Sequence, residues 1–412
     1  MSLPDSSHVS ELTMDEARQL VVTCQGLAGG FNCGDAGALA VVEHLGYVQI
    51  DSISVAQRAH QHTLWNRTPD IEAATFENLR ASAHVFEYWA HAAAFLPMRD
   101  FRFTLPRKHA FKAGQGHWFE RDPQVLRYVR DCIAERGPMM AKDFKDVRAK
   151  STGWWDWQPS KRALEQLYMQ GELMVVARRG FHKVYDLTER VLPENVETTV
   201  PTTLEYSRYL INGYLRAQGV ALSKDFGYLL KNIKPQLRQG LLSMLESGEV
   251  VQVKVAGERY YARASIEAQL HGIGSTMPLK ILSPFDNLVI QRERLSRLFD
   301  YDYQLECYTP HHKRRYGYFC MPLLAGTSFI GCVDLKVERT RELLVLKHLV
   351  VECKELGAFC AKFAAILPQF MHFQGARFLI VQRITYMGEP MSKASTQQFE
   401  RELLSSIEFR AD

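Results

Sequence analysis

Apolar and polar positions alternate along this chain with two different periods, and the changes of period mark its predicted elements. Residues 13–16, Thr-Met-Asp-Glu, form a capping box that opens an amphipathic helix running to about Leu27. An apolar helix then covers residues 36–45, and Gly46 suits the left-handed position that ends it. From Val48 the period becomes that of a strand, in which successive side chains face opposite sides.

A weak internal repeat predicts the architecture of the first two thirds of the chain. Residues 136–144 resemble 218–226, and residues 167–176 recur as 244–253. Each copy continues into a tight hairpin and a return strand, so the order is helix, helix, helix and two-stranded wing, as in a winged helix. Residues 44–48 occupy, in the first part of the chain, the place that residues 169–173 hold in the second. We therefore expect three winged-helix units.

After about residue 278 the pattern changes to strands. A short helix at 292–299 precedes alternating segments at 303–308, 316–323, 329–337 and 342–349, which predict a small β-barrel. A helix at 351–365, a strand at 377–382 and a last helix follow, and the sequence assigns no role to residues 373–412. The predicted class is α+β, with winged-helix units at 1–122, 123–195 and 196–278, a barrel at 279–350 and a tail at 351–412.

Composition indicates a globular protein of two to four domains, with 412 residues of which 46% are hydrophobic. The first residues lack the basic start and apolar core of a signal peptide, and charged residues interrupt every long apolar run, so we expect a cytoplasmic monomer without membrane association. Eight scattered cysteines predict free thiols, largely buried. Two histidine pairs, at 60 with 62 and 311 with 312, lack accompanying ligands, so neither a metal nor another cofactor is expected.

The net charge of +4 is too small to indicate a nucleic-acid partner, but the basic residues are grouped. One group, at 99–121, has six Lys and Arg residues against two acidic ones and is interleaved with aromatic residues. A second occupies residues 311–315, and a third begins at Lys142 and includes tryptophans at 154, 155 and 157. Basic side chains contact phosphates and aromatic ones stack on bases, so this mixture favours DNA binding. For any single group, an ordinary solvated face is the alternative.

Two polar residues on the predicted strand are the candidate chemistry. Because Val48 and Ile50 point to one face, Gln49 and Asp51 are neighbours on the other, where an amide and a carboxylate could hold and polarise one water molecule. A solvated strand face is the simpler alternative, since Gln-x-Asp is common. Residues 84–96 then read as strand material that brings Tyr88, Trp89 and His91 close in sequence, with a core histidine as the alternative for His91.

Taken together, these motifs resemble the winged-helix DNA glycosylases of the AlkZ and YcaQ type, and the YcaQ-like branch in particular. The resemblance covers nearly the full length and rests on residues 45–53, 86–91, 282–286, 313–318 and 333–336. It implies three winged-helix domains and a C-terminal β-barrel that form a concave DNA-binding face. It also implies monofunctional excision of N7-alkylated guanine from double-stranded DNA, with unhooking of interstrand crosslinks.

The resemblance assigns roles to particular residues. Gln49 and Asp51 would be catalytic, in a motif that the AlkZ branch writes as Gln-x-Gln. Ala92 departs from the pattern, which has an acidic residue after the histidine. DNA and lesion contacts are expected from Tyr88, Trp89, His91, Lys313, Arg314 and Arg315. The alternative function is a DNA-binding protein without chemistry, such as a transcriptional regulator, because most winged helices serve that purpose.

Overall fold

The computed structural model describes residues 10–115, 120–144, 158–266 and 277–408. Its α-helices are α1 Met14–Cys24, α2 Gly34–Leu45, α3 Ala59–Trp65, α4 Thr75–Ala81, α5 Leu105–Lys112, α6 Pro123–Arg136, α7 Pro159–Gln170, α8 Thr188–Val191, α9 Thr203–Gln218, α10 Lys234–Glu246, α11 Arg292–Phe299, α12 Leu356–Gln374 and α13 Lys393–Glu408. The third basic group predicted from the sequence, from Lys145 onward, lies outside these ranges.

The strands are mostly short and form several small sheets. They are β1 Ser10–Leu12, β2 Val48–Gln49, β3 Val85–Trp89, β4 Ala93–Pro97, β5 Leu173–Arg179, β6 His182–Leu187, β7 Val220–Ala221, β8 Val250–Val255, β9 Glu258–Arg263, β10 Lys280–Ile281, β11 Cys320–Ala325, β12 Ser328–Glu338, β13 Leu343–Val351, β14 Phe378–Val381, β15 Ile384–Tyr386 and β16 Glu389–Pro390. Helices and strands coexist throughout, which confirms the mixed α and β class.

The first sheet positions the candidate chemistry. Its order is β2-β4-β3, and α2 leads directly into β2 because Gly46 adopts the predicted left-handed conformation with φ of 80°. The side chains of Val48 and Ile50 are buried beside Leu45 and Phe95, so the predicted inward face is confirmed. The strand is shorter than predicted, although the Ile50 amide still donates to the Ala93 carbonyl at 2.8 Å.

The predicted repeat is confirmed in the second and third units. In the third unit, β7 pairs with β9, which is the return strand of the β8–β9 hairpin. In the second unit, an isolated bridge joins Met139 in the same way to Tyr185 on the return strand β6. A carboxylate caps the same turn in both copies: Asp143 accepts from the Met140 amide at 2.8 Å, and Asp225 accepts from the Leu222 amide at 2.9 Å.

The predicted correspondence for the first unit is wrong. β2 pairs with the return strand β4, as β7 pairs with β9, so residues 48–49 correspond to 220–221 and not to the first wing strand near residue 173. The sequence pattern is ambiguous because a glycine ends a helix at two points of one unit, as the second unit shows at Gly137 and again at Gly171. Gly46 occupies the earlier point.

The N-terminal elements pack with the third unit rather than with the predicted first unit of 1–122. β1 pairs in parallel with β8, with Leu12 opposite Val255. Helix α1 begins at the predicted capping box of Thr13 and buries Leu20 and Val21 in a core that includes Val253.

The predicted small β-barrel is not confirmed, because the described strands form an open sheet. The C-terminal sheet has the order β10-β11-β12-β13-β15-β16, with β14 also on β13, and within the described chain its edge strands β10 and β16 do not pair with each other. Residues 303–308 are not a strand. The Glu306 carboxylate instead accepts from the backbone amides of Arg315, Tyr316 and Gly317 at 2.7, 2.8 and 3.1 Å, and thereby closes a loop.

Helix α12 covers the C-terminal sheet. It buries Phe359, Phe363, Leu367 and Phe370 against sheet residues such as Leu346. By length and composition alone this one helix could cross a membrane, a test that the core helices of globular proteins also pass.

A buried ion pair ties the first unit to the start of the C-terminal part. Arg67 donates to Asp286 at 2.7 and 2.8 Å, and both side chains are fully buried. The remaining guanidinium hydrogens reach the Gln25 carbonyl, the Gln25 side chain and the Thr63 carbonyl. Because all five donors have partners, the charge is tolerated in the interior.

Candidate active site on the first sheet

The Gln49 side chain contacts His91 at the end of the first sheet where β3 turns into β4. Gln49 lies on β2 and is 7% exposed, while His91 occupies the turn between β3 and β4. The His91 Nε2–H donates to Gln49 Oε1 at 3.0 Å, since an amide oxygen only accepts. Within the described residues this is the hydrogen bond that the Gln49 side chain makes, and it holds the amide in one orientation.

Two tyrosines flank His91. The ring of Tyr47, which directly precedes β2, lies 5.1 Å from the imidazole, measured between ring centroids. The ring of Tyr228, which belongs to the third unit, lies 5.6 Å from it. Both tyrosines meet the imidazole edge-on. Burial lowers the pKa of His91 to about 4. The imidazole is therefore neutral near pH 7 and acts as a hydrogen-bond donor rather than as a cation or an acid.

Asp51 is the carboxylate of the site. Its Oδ1 accepts from the Ile53 amide at 2.7 Å, and among the described residues Oδ2 has no hydrogen bond. The side chain is half-buried, and burial raises its pKa, while the Ile53 amide and the Arg58 guanidinium act in the opposite direction. The carboxylate is thus fixed at one oxygen and free at the other.

A cationic and aromatic cluster stands beside Asp51. The Arg58 guanidinium lies 3.5 Å from the centroid of the Phe181 ring, and Arg178 lies 4.4 Å from the same centroid. Arg178 also donates to the buried Glu87 carboxylate at 2.8 to 3.1 Å. The hairpin tip of the second unit is therefore anchored on the first unit next to the candidate site.

The loop that Glu306 closes brings an aromatic side chain near Asp51. Tyr308 is 87% exposed, and the Asp51 charge acts on both Tyr308 and its neighbour Cys307. Ile53 and Leu305 pack against the same hydrophobic core, which holds the two segments together. In the sequence, Tyr308 and Tyr316 flank the basic run at 311–315, and this position alone predicts no role in the chemistry.

The alternating pattern on either side of the basic run at 311–315 predicts that the run forms a hairpin tip. It is instead a loop that begins with the short 3-10 turn His311–Lys313. Lys313 and Arg315 are exposed, whereas Arg314 donates through Nε to the Thr309 carbonyl at 2.8 Å and lies 5.0 Å from the Tyr318 ring. Two of the three cations are therefore available to a phosphate backbone, and the third stabilises the loop.

The other predicted contacts lie farther inside the protein. Tyr88 is 2% exposed, packs in the core of the second unit and donates to the Met169 carbonyl at 2.7 Å, so we do not retain it as a lesion contact. Trp89 is half-buried against the same core. The hydrogen-bond partner of the Gln49 side-chain oxygen is His91 and not Tyr88 or Trp89.

Most cations of the 99–121 group have partners within the protein. Arg99 pairs with Glu43, Arg102 with Glu197 and Glu205, and Lys112 with Glu172. Lys108 is buried 3.5 Å from the Phe101 ring, and burial lowers its pKa to about 7. Trp118 and Phe119 lie outside the described residues. The group therefore holds units together more than it presents a charged surface.

In the described part of the chain, no three His, Cys, Asp or Glu side chains cluster as they would around a metal ion. The predicted pair His60 and His62 is buried, and burial lowers the pKa values to about 3 and 4. The candidate site itself consists of one amide, one carboxylate and one neutral imidazole. Of the flanking residues, Tyr228 carried no signal in the sequence, because it reaches His91 only through packing between units.

Comparison with known proteins bears on the family and the fold of this chain. A family model described as DNA glycosylase AlkZ-like matches residues 42–373, a range that includes Gln49, Asp51 and His91. Among solved structures, the DNA glycosylase AlkZ of Streptomyces sahachiroi is similar, with a TM-score of 0.62 and 17% sequence identity. The match covers 91% of this chain and 100% of that chain, and at this identity it concerns the fold.

Proposed function

Because this chain belongs to the AlkZ-like family of DNA glycosylases, we propose that it hydrolyses the bond between sugar and base at N7-alkylated guanine in double-stranded DNA. The observation that carries the proposal is the free oxygen of Asp51, two residues from an amide that His91 holds at 3.0 Å. The product would be an abasic site, and interstrand crosslinks joined through N7 would be unhooked by the same step.

The chemistry of the substrate fits a site that has no strong acid. Alkylation at N7 makes the purine cationic, so the bond to the sugar is already weakened and the departing base needs no proton. The neutral His91, with its lowered pKa of about 4, cannot serve as a proton donor of imidazolium strength at pH 7. A site of this composition is therefore suited to a leaving group that carries its own positive charge.

Asp51 is proposed to perform two tasks. Its negative charge stabilises the oxocarbenium-like transition state that forms as the base departs, and its free Oδ2 accepts a proton from the attacking water. The hydrogen bond from the Ile53 amide to Oδ1 keeps the carboxylate from rotating. Gln49 would orient the same water, and His91 would position Gln49.

The surroundings of Asp51 support an open site. The carboxylate is half-buried rather than enclosed, and its neighbour Tyr308 is 87% exposed. An N7-linked crosslink tethers the base to the opposite strand, so it cannot rotate into a closed pocket as most glycosylase substrates do. We include Tyr308 as a surface on which the cationic purine stacks, and Trp89, Lys313 and Arg315 as contacts to the duplex.

The repeated strand order supports the interpretation of residues 34–97, of 120–144 together with 158–187, and of 203–263 as winged-helix units. In each, the short strand or bridge after the first helix joins the return strand of the hairpin. These proposed ranges leave out residues 10–24, which pack with the third unit.

The decisive experiment uses purified protein and two duplexes, one with N7-methylguanine and one with an N7-linked interstrand crosslink. We expect base release from the first and separation of strands in the second, with strand breaks only after alkaline treatment. Binding without release would leave a DNA-binding protein without this activity. Release of methylguanine with no action on the crosslink would restrict the function to monoadducts, and breaks without alkali would indicate a lyase.

A further inference from the structure

One exposed leucine stands next to the candidate site without any role in the chemistry described so far. Leu229 is 63% exposed and follows Tyr228, whose ring lies 5.6 Å from that of His91. Tyr228 is itself anchored, because its hydroxyl donates to the Ile290 carbonyl at 3.0 Å. Leu229 lies in a turn of the third unit and is connected to the Gln49 side chain through Tyr228 and His91.

The backbone presents this side chain in an unusual way. Leu229 has a φ of 55°, in the left-handed region that leucine rarely adopts. The turn is nevertheless fixed at both sides, since the Tyr228 amide donates to the Asp225 carbonyl at 3.2 Å and the Leu230 amide to the Gly227 carbonyl at 2.9 Å. Asp225 in turn accepts from Arg297 at 2.6 Å. An apolar side chain is thus held outward by a rigid turn.

The charges around Leu229 favour a polyanion as its partner. Lys231 and Lys234 follow it closely and are both exposed, and the nearest carboxylate in sequence, Asp225, is buried with Arg297. A protruding apolar residue with cations on its flank is the arrangement by which proteins insert a side chain between base pairs and kink the duplex. A single exposed leucine on a loop would otherwise need no explanation.

The geometry points to Leu229 as a wedge that enters the base stack beside the lesion and opens the step for the Gln49 and Asp51 site. This inference rests on the proposed function, since it assigns a specificity residue to the same reaction. It also supplies what an open site lacks: a base that cannot be rotated out must be exposed by parting the stack around it. The preference would be for lesions in steps that unstack easily, such as pyrimidine–purine steps.

The test compares Leu229→Ala with Leu229→Met, which keeps a flexible apolar side chain of similar length. The matched control is Leu242→Ala, which truncates another exposed leucine of the third unit. Each protein is assayed on N7-methylguanine in a fully paired duplex and in a duplex where an abasic position opposite the lesion has already opened the stack. A 2-aminopurine beside the lesion reports unstacking through its fluorescence.

We expect Leu229→Ala to slow excision from the paired duplex by roughly 10 to 100-fold, because unstacking one step costs a few kcal/mol, and to restore nearly the normal rate on the opened duplex. The fluorescence rise on binding should be lost in Leu229→Ala and kept in Leu229→Met and Leu242→Ala. Equal loss on both duplexes, or no loss on either, would overturn the inference. A wild-type protein that raises the fluorescence but releases no base would refute the proposed function while leaving the wedge in place.

Discussion

Replacing Asp51 by Asn tests the proposed chemistry with the least disturbance of the fold. Asparagine has the same shape and keeps an oxygen that can accept from the Ile53 amide, the one hydrogen bond that Asp51 makes within the described chain, at 2.7 Å. What changes is the negative charge and the ability of the free oxygen to take a proton. Two unit charges about 4 Å apart interact by about 4 kcal/mol at an effective dielectric constant near 20.

Part of that attraction survives in the asparagine dipole, so we expect a loss of about 3 kcal/mol of transition-state stabilisation, which is roughly a hundredfold in rate. The loss should appear in single-turnover excision of N7-methylguanine, while duplex affinity measured by fluorescence anisotropy stays nearly normal. Asp302→Asn, a change of an exposed carboxylate with the same effect on net charge, is the control. Near-normal excision by Asp51→Asn, or equal losses of rate and affinity, would refute the reasoning.

Three further results are expected. Changing Lys313 and Arg315 together to Gln should weaken binding to any duplex and make its salt dependence shallower by up to about two units of slope, one for each phosphate contact. Asp286→Asn should lower the free energy of unfolding in urea by about 3 to 5 kcal/mol, because it leaves the fully buried Arg67 without its counter-charge. The excision rate should stay level around neutral pH and fall on acidification with a midpoint above the ordinary carboxyl value of 3.8, because burial raises the pKa of Asp51 and its charged form is the active one.

Each of these results has its own control. For the salt dependence, the control is the double change Lys393→Gln and Arg401→Gln, which removes two exposed cations from the C-terminal helix. If the 311–315 loop faces DNA, the slope should change in the Lys313 and Arg315 variant and stay unchanged in this control. Glu338→Gln breaks an exposed pair with Arg341 and should cost less than about 1 kcal/mol, so an equally small effect of Asp286→Asn would contradict the buried network. For the pH profile, the uncatalysed loss of base is subtracted, and a step near pH 6.5 would mean that His91 titrates after all.

The sequence predicted those parts of the fold that depend on local patterns. The capping box at Thr13, the left-handed Gly46 and the helix at residues 292–299 all appear where the pattern places them, because each depends on residues within one or two helical turns. The 303–308 strand was wrong because alternation alone does not reveal that the Glu306 carboxylate would take up the backbone amides of Arg315 to Gly317.

The candidate site was predictable only where its residues are close in the chain. Gln49 and Asp51 stood out by alternation, but the contact of Gln49 with His91 spans 42 residues, and that of His91 with Tyr228 joins the first and third units. Tyr88 was predicted to contact the lesion but lies in a core, because alternation along β3 does not tell which face of the strand meets the second unit. Long-range packing decides such contacts, and no short pattern contains it.

The parallel pairing of β1 with β8 has a consequence for synthesis on the ribosome. Leu12 lies opposite Val255, so β1 meets its strand partner β8 only after some 240 further residues have been made. At about 5 to 20 residues per second, that wait is roughly 10 to 50 seconds. The apolar face of α1 waits nearly as long, because Leu20 and Val21 share their core with Val220 and Val253. Until those residues are made the face is open to chaperones, and a nascent chain released before then would leave it exposed to proteases.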